Sequence, residues 1–156
     1  MRTILKLHRS IDAELAAPVT NVEISTFQSS DAAEWLALNN QIFISHPDQG
    51  DWVMQDLTNR MAENWFDPAG FFLARQKGRI IGFCWTKIHH DRVNEGAIGE
   101  IYVLGVDPAA HSSGLGKALT LTGLHYFKGK QIKESMLYVD ADNHPALILY
   151  KKLGFN

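Results

Sequence analysis

The stretch VLGVDPAAHSSGLGK, residues 103–117, decides the fold that we expect for this chain. It begins inside a β-rich run, 98–106, which stops at Asp107-Pro108 because proline cannot continue a strand ladder. Beyond the two glycines, one face of a helix that ends near residue 129 is traced by Leu115, Leu119, Thr122 and Tyr126. The pattern therefore predicts a strand, a loop of small residues and a helix in direct succession.

The loop that enters this helix is typical of a phosphate-binding site. A strand that runs into a small-residue loop and then a helix points several backbone N–H groups, and the positive end of the helix dipole, at one place. Gly114 and Gly116 carry no side chain that would keep a phosphate from those amides, and Lys117 adds a positive charge. The plainer alternative is that the two glycines only begin a helix.

Two other phosphate-binding motifs are excluded by the residues around these glycines. A Walker loop needs Ser or Thr after its lysine, whereas Ala118 follows Lys117. A dinucleotide-binding fingerprint needs a third glycine at the place where Leu119 stands. Neither nucleoside triphosphate hydrolysis nor dinucleotide binding is therefore predicted.

Helix and strand patterns extend on both sides of this stretch. Upstream they predict a strand over 22–27, a helix over 31–43 that starts with an Asp31/Glu34 capping box, a helix over 53–61, and a hairpin of strands 70–74 and 80–89. Downstream they predict a strand over 135–139 and a helix over 145–153 closed by Gly154. This order predicts one α+β domain with a mixed sheet over 21–156. Residues 1–20 are weakly patterned and are predicted to be an arm before the domain.

Composition excludes several classes of function. The 156 residues, 46% of them hydrophobic, are enough for one folded domain, and 15 Lys+Arg against 17 Asp+Glu leave a formal charge of −2. No global positive field is therefore available to hold a nucleic acid or an anionic membrane. The longest apolar stretch, 80–85, is far shorter than the roughly 18 residues that a membrane span needs.

Cysteine and histidine usage indicates neither a disulfide framework nor a metal site. Cys84 is the one cysteine, and inside the apolar run 80–85 it is predicted to be a buried filler rather than a nucleophile. The seven histidines include no His-Glu-x-x-His motif, so no metal is predicted. No segment has the pattern of an export signal, and we expect a cytoplasmic protein without a nucleic-acid or membrane partner.

Residues 111–116 and 143–155 together resemble the GNAT family of acetyl-CoA-dependent N-acetyltransferases. The family's pyrophosphate-binding pattern is Gln/Arg-x-x-Gly-x-Gly/Ala, and this sequence keeps both glycines but has His111 at the first position. The second segment, NHPALILYKKLGF, has Asn, Ala, Tyr and Gly-Phe in the family's usual order and spacing. The resemblance implies a mixed, mostly antiparallel sheet flanked by helices. It also implies that acetyl-CoA is bound by Leu104, Gly105, Val106, His111, Ser112, Ser113, Gly114, Leu115, Gly116, Lys117, Asn143 and Ala146.

Two residues, Glu100 and Tyr150, are candidates for the proton transfers that acetylation of an amine requires. Glu100 is the candidate base, because a carboxylate in an apolar strand needs an explanation. The resemblance implies that a Glu at this place acts as a general base or binds the amine. Tyr150 is the candidate acid, because a phenol near the sulfur could protonate the departing thiolate. The alternatives are an outward-facing strand carboxylate for Glu100 and a packing role on the helix for Tyr150. Asn143, likewise, is open to a purely structural interpretation as a helix cap.

A narrower resemblance, from about residue 22 to the end, is to the carboxyl-terminal domain of the mycothiol synthase family. It is carried by the segments HPDQG (46–50), WFDPAGFFLA (65–74), GFCWTK (82–87) and GEIYVLGVDPAA (99–110). It implies acetylation of the cysteinyl amine of a cysteinyl-glucosaminyl-inositol precursor, with Asp48, Lys87, Glu100 and Tyr138 on that substrate. Asp48 and Lys87 could equally be solvated surface residues. Members of that family have two such domains in tandem, so the arm resembles a junction after a first domain. The sequence stops at Asn156, where the family's fold normally continues into at least one more strand, so the last carboxyl-terminal strand is expected to be missing.

Two alternative functions and two partners stay open. The chain could acetylate another primary amine, such as an amino sugar, a polyamine or a protein N-terminus. It could also be a half-domain that binds acetyl-CoA or a partner domain without turnover. Besides the small-molecule amine, the open partners are a second GNAT domain and a second copy of this chain.

Overall fold

The computed structural model describes residues 2–12, 14–92, 95–110 and 114–156. Its strands are β1 (Ile4–Ser10), β2 (Glu23–Thr26), β3 (Phe71–Gln76), β4 (Arg79–His89), β5 (Ile98–Val106) and β6 (Glu134–Asp140). Its α-helices are α1 (Ala32–Ile42), α2 (Met54–Met61), α3 (Leu115–Gly129) and α4 (His144–Lys152). None of the helices in these ranges is both long and apolar enough to cross a lipid bilayer. The strands and helices predicted from residue 22 onward are confirmed, with small differences at their ends.

Within the described residues the strands form one sheet in the order β1-β6-β5-β4-β3-β2. Neighbouring strands are antiparallel except β5 and β6, which are parallel because α3 returns the chain across the sheet. The predicted β3–β4 hairpin is confirmed, and Lys77 and Gly78 make its turn with φ angles of 53° and 75°. The prediction of an α+β fold with a mixed, mostly antiparallel sheet flanked by helices is thus confirmed.

The first strand corrects the predicted arm. Ile4–Ser10 pairs antiparallel with β6 along its whole length, so this segment belongs to the sheet. The physical reason is alternation: Leu5 and Leu7 pack against the core, whereas Lys6 and His8 are exposed on the other face. Alternation of apolar and polar residues is typical of a half-buried strand, so the sequence did contain a pattern that could have predicted β1.

Two apolar layers pack on opposite faces of the sheet. The layer beside α3 and α4 is largely aliphatic and includes Leu119 and Tyr150. The layer beside α1 and α2 is largely aromatic: Trp85 stacks on Phe71 with ring centroids 4.4 Å apart, and Trp35 meets it edge-on at 5.4 Å. Aromatic pairs of this kind restrict the positions of the strands beneath them, and the functional site lies between these two layers.

A bulge in β5 changes which layer its side chains face. The register between β4 and β5 shifts by one residue at Tyr102, which has no partner on β4. Ile101, before the bulge, packs in the aliphatic layer. After it Val103 packs in the aromatic layer and Leu104 against the aliphatic one. Two successive residues, Tyr102 and Val103, therefore face the same layer, and the alternation of the strand resumes at Leu104 with its phase reversed.

The capping box predicted for the start of α1 is wrong. Asp31 is the N-cap residue of α1, but its side chain does not cap the helix. It accepts a hydrogen bond from Arg75 Nη2 at 2.6 Å instead. Glu34 Oε2 accepts one from the backbone N–H of Ile80 at 2.7 Å. Both carboxylates thus tie α1 to β3 and β4, partners that only folding brings within reach.

Candidate functional site

A gap opens in the sheet between β5 and β6. The two strands pair at Gly99 with Ser135 and at Glu100 with Met136, and the described residues show no pairing between them beyond these positions. A cavity of about 940 Å³ lies in this gap, and its lining comes from both faces of the sheet. From Ile101 onward, the side of β5 that faces β6 therefore borders a cavity, while its other side stays paired with β4. An extended ligand with amide groups can pair with such a strand edge.

One side of the cavity, which we call the α3 wall, consists of the end of β5, the first turn of α3 and one face of α4. It carries most of the residues predicted to bind a cofactor, together with the predicted acid. These are Leu104, Gly105, Val106, Gly114, Leu115, Gly116, Lys117, Asn143, Ala146 and Tyr150. The predicted His111, Ser112 and Ser113 lie outside the described residues.

The amino-terminal end of α3 opens on this cavity. Ala118 donates its amide to the carbonyl of Gly114 at 3.1 Å, so the amides of Leu115, Gly116 and Lys117 precede the helical ladder. Gly114 adopts the left-handed conformation with φ 73°, which glycine reaches without strain. A Cβ atom at Gly116 would lie in ordinary van der Waals contact with Leu149, at 3.4 Å, and with Val106, at 3.9 Å, and both of these residues line the cavity. Amides grouped at the positive end of a helix suit an anionic group such as a diphosphate.

Tyr150 lies on α4 where the α3 wall meets the aliphatic layer. Its side chain is buried and its ring centroid is 5.9 Å from that of Phe155, so the packing role considered for it is present. It also lines the cavity. Burial first, and then the nearby Cys84, raise the pKa of Tyr150 well above its ordinary value. At neutral pH the residue is therefore a protonated phenol beside the cavity.

Cys84 is fully buried beneath this wall, as predicted. It packs against α3, since a Cβ atom at Gly123 would lie 3.0 Å from its sulfur. Burial raises the pKa of the Cys84 thiol to about 12. The thiol thus stays protonated at neutral pH and serves as a core residue.

Glu100 lies where β5 and β6 part, on the face of the sheet opposite α3. Its side chain is 9% exposed, and Oε1 lies 2.8 Å from Nε2 of His89. The alternative of a solvent-exposed strand carboxylate is thus excluded. Glu100 itself does not line the cavity, whereas the next residue, Ile101, does. The structure therefore holds a buried carboxylate just behind the cavity, beside an imidazole with which it can share a proton.

The other side of the cavity, which we call the front wall, is built from the α1–α2 connection, the end of β6 and the segment before β1. Asp48 and Tyr138, two of the predicted substrate residues, lie on it, and Tyr138 is 54% exposed. Lys87 does not line the cavity: its Nζ lies 4.6 Å from the ring centroid of Trp65. It stands opposite Glu100 in the β4–β5 register, so it neighbours the buried carboxylate rather than the cavity.

The polar residues of the front wall that sequence reasoning missed include Arg2, His46 and Asp140. Arg2 donates from Nε to Asp140 Oδ1 at 2.6 Å and from Nη1 to Asp48 Oδ2, also at 2.6 Å. Arg2 and Asp140 are 138 residues apart in the chain, so no local pattern could have joined them. The alternation of residues 4–7 was the one signal that could have placed Arg2 near β6.

Asn143 caps α4 in the way that the structural interpretation required. Its Oδ1 accepts a hydrogen bond from the amide of Ala146 at 3.3 Å. Both residues also border the cavity. Capping is therefore present, and a role for Asn143 in cofactor binding stays a prediction.

Comparison with known proteins identifies a family whose sequence model matches most of this chain, and relatives that are similar to it over nearly its whole length. A sequence model described as "Acetyltransferase (GNAT) family" matches residues 31–155. The chain is 45% identical over 168 residues to the mycothiol acetyltransferase of Acidothermus cellulolyticus, which covers 99% of this chain and 51% of that protein. It is 48% identical over 159 residues to the mycothiol acetyltransferase of Thermomonospora curvata, with coverages of 99% and 52%. The chain thus spans about half the length of the curated relatives it matches.

Among solved structures, the fold is similar to that of a GCN5-related N-acetyltransferase from Sphaerobacter thermophilus. The TM-score is 0.78 at 23% sequence identity, covering 99% of this chain and 48% of that chain. At this level of identity the likeness concerns the fold alone. It supports the same conclusion as the strand order: the predicted architecture is correct.

Proposed function

Because the chain belongs to the acetyltransferase (GNAT) family, we propose that it transfers an acetyl group from acetyl-CoA to a primary amine. The observation that carries the proposal is the gap between β5 and β6, bordered by a strand edge and the amino-terminal end of α3. The strand edge suits the amide groups of the cofactor, and the helix end suits its diphosphate. When bound there, acetyl-CoA supplies a thioester carbonyl carbon that an amine can attack.

The acceptor that we propose is the cysteinyl amine of the mycothiol precursor, the cysteinyl-glucosaminyl-inositol conjugate. The relatives named mycothiol acetyltransferase, 45% and 48% identical over nearly this whole chain, support it. The front wall supports it too, since Asp48 offers a carboxylate to an ammonium and Tyr138 offers an exposed ring to a sugar. Lys87 lies beside Glu100 and not on the cavity lining. We therefore propose that Lys87 contacts only a part of the acceptor that reaches beyond that lining.

In this mechanism Glu100 accepts the proton that the amine must lose. Since Glu100 lies just behind the cavity lining, the transfer runs through one water molecule. His89, with Nε2 at 2.8 Å from the carboxylate and a quarter of its side chain exposed, is the next group on the way to solvent. The neutral amine then has the lone pair that attack requires.

Tyr150 supplies the second proton transfer. Its phenol has an ordinary pKa of 10.0, which burial raises further, so it is protonated at neutral pH and donates that proton to the departing sulfur. One proton thus passes from the amine to Glu100 and another from Tyr150 to the thiolate, so the phenolate of Tyr150 must regain a proton before the next turnover. Glu100 and Tyr150 come from opposite faces of the sheet, and the gap is the place where both can serve one reaction.

The proposal is tested by measuring thiol release from acetyl-CoA with four amines: the cysteinyl-glucosaminyl-inositol precursor, glucosamine, spermidine and a short peptide. We expect kcat/KM for the precursor to exceed the others by about 10²-fold or more, because each matched polar group adds discrimination. A preference for any other amine would overturn the acceptor. Acetyl-CoA binding without thiol release for all four would favour the half-domain that binds and does not turn over.

The partner arrangement and location stay predictions as well. A second GNAT domain beside this one is supported by relatives about twice as long as this chain. A second copy of the chain is the other arrangement, and light scattering of the purified protein distinguishes it from a monomer of 17.5 kDa. The cytoplasm is the proposed location, where the single buried thiol would remain reduced.

A further inference from the structure

Arg2 connects two segments of the front wall that both border the cavity. One segment is the α1–α2 connection, represented by Asp48, and the other is the end of β6, represented by Asp140. The guanidinium donates from Nη1 to Asp48 Oδ2 and from Nε to Asp140 Oδ1, each at 2.6 Å. We call these contacts the Arg2 bridge.

The bridge depends on the shape of the guanidinium. Besides the two short bonds, Nη2 donates to Asp140 Oδ2 at 3.4 Å, so three of the donor groups are used at once. His46 Nε2 lies 3.3 Å from the same Asp140 oxygen. These contacts lower the pKa of Asp140, chiefly through its hydrogen bond with Arg2. An ammonium has no fixed fork and could not hold both carboxylates in this geometry.

The two carboxylates are left in different states by the bridge. Asp140 is 17% exposed and has both oxygens engaged by Arg2 or His46. Asp48 is 68% exposed and has one oxygen, Oδ2, on Arg2, and within the described part of the chain Oδ1 has no ion pair. Asp140 therefore serves as the anchor, and Asp48 is the carboxylate with an oxygen to offer to a ligand.

The segment that carries Asp48 is itself ordered locally. His46 Nδ1 accepts hydrogen bonds from the amides of Asp48 and Gln49, at 3.1 and 3.0 Å. Asn39 Nδ2 donates to the carbonyl of Gln49 at 2.9 Å. The segment is thus a compact unit, and the Arg2 bridge attaches it to the end of β6 together with the contact between His46 and Asp140.

We propose that Arg2 is a positioning residue for the amine acceptor, fixing Asp48 so that its second oxygen faces the cavity. The inference rests on the proposed function, since the ligand in question is the ammonium or polyol of the acceptor. Arg2 acts through Asp48 and takes no part in cofactor binding on the α3 wall. Loss of the bridge should therefore weaken acceptor binding selectively.

The test compares Arg2→Gln and Arg2→Lys in steady-state acetylation of the mycothiol precursor. We expect Arg2→Gln to raise the KM for the amine about tenfold, while kcat and the KM for acetyl-CoA stay within about twofold. Arg2→Lys should recover only a small part, because it restores the charge without the fork. The matched control is Arg9→Gln on β1, whose Nη1 donates to the Ser10 carbonyl at 3.3 Å and which does not line the cavity.

A double-mutant cycle with Asp48→Asn adds a second criterion. If Arg2 acts through Asp48, the two substitutions together should raise the amine KM no more than Asp48→Asn alone. Additive effects, or equal losses in the KM for both substrates, would overturn the inference. An unchanged amine KM in Arg2→Gln would overturn it while leaving the proposed function intact.

Amide hydrogen exchange provides a readout that does not require activity. We expect exchange over residues 46–50 to speed up about tenfold in Arg2→Gln and to stay unchanged in Arg9→Gln. If the unmodified protein releases no thiol with any amine, the proposed function fails, and the exchange measurement still decides whether Arg2 fixes this segment. Equal exchange rates over residues 46–50 in the unmodified protein and in Arg2→Gln would contradict the positioning role of Arg2.

Discussion

The α3 wall and the front wall of the cavity are built on different principles. The α3 wall offers main-chain groups from two segments close together in the chain, 104–106 and 114–117. The front wall offers side chains of Arg2, Asp48 and Asp140, which come from three distant segments. Main-chain groups need only the right local conformation, whereas side chains from distant segments must hold one another in place. A wall of the first kind leaves a motif in the sequence, and a wall of the second kind leaves none.

Tyr150→Phe tests whether the two walls serve one reaction. We expect kcat to fall about 10²- to 10³-fold, because the departing thiolate loses its proton donor while the ring keeps its packing. The KM values for acetyl-CoA and the amine should change by no more than about twofold. Steady-state thiol release measures the first effect and calorimetric titration with CoA the second. Equal losses in turnover and cofactor affinity would mean that Tyr150 only packs.

Gly116→Ala separates the α3 wall from the front wall. The added methyl group would make ordinary van der Waals contacts with Leu149, at 3.4 Å, and Val106, at 3.9 Å, so the melting temperature should not fall. Because both of these residues line the cavity, the methyl group would stand at the cavity wall beside the amides, and we expect the Kd for CoA to rise about tenfold. The amine KM at saturating acetyl-CoA should be unaffected.

Gly129→Ala is the matched control at the other end of α3, where an added Cβ meets nothing within 4 Å. It should leave both CoA affinity and turnover unchanged. If Gly116→Ala binds CoA as tightly as the unmodified protein, the phosphate site is misassigned, and the amides of the α3 wall do not bind the diphosphate as proposed.

The two walls are expected to respond to pH in opposite directions. On the front wall the pKa of Asp140 is lowered by Arg2, so its contribution to stability is present above its ordinary pKa near 3.8 and is lost as the pH falls through the depressed value. Beneath the α3 wall the pKa of Cys84 is raised from 9.0 to about 12 by burial. Its contribution is present below pH 9.0 and is lost as the pH rises towards 12. Acid therefore weakens the front wall and alkali the α3 wall.

The alkaline effect can be measured by urea unfolding at pH 7.5 and pH 10. We expect Cys84 alone to remove about 1.4 kcal/mol of unfolding free energy by pH 10, because the unfolded thiol ionises and the buried one does not. Cys84→Ser, which cannot ionise in this range, should show a correspondingly smaller loss. The same loss in both proteins would assign the effect to other groups, such as Tyr126, whose pKa is raised by burial and by its hydrogen bond to Asp67.

The parts of the fold that the sequence predicts are those set by local periodicity. The strand 98–106 was predicted with its observed bounds, because β-branched residues and a terminal proline mark it without reference to the rest of the chain. Tyr150 and the loop glycines could be singled out because the motifs that contain them are short and continuous, and the structure places all three on the cavity.

The parts that escaped prediction depend on partners supplied by folding. Asp31 and Glu34 have the spacing of a capping box, yet Arg75 and the Ile80 amide compete for their carboxylates once β3 and β4 pack on α1. Glu100 was identified as a buried carboxylate candidate, but its imidazole partner His89 lies on the neighbouring strand. Spacing in the chain carries no information about such competition or such pairs.

The extra residue at Tyr102 sets the phase of everything that follows it on β5. Before it, Gly99 and Ile101 face α3, and after it Leu104 and Val106 do, so odd and even positions exchange roles within a single strand. Deleting one residue there would reverse that exchange and turn the edge that borders the cavity relative to Glu100. Grafting this segment into another member of the GNAT family therefore requires the transfer of residues 100–106 as a whole.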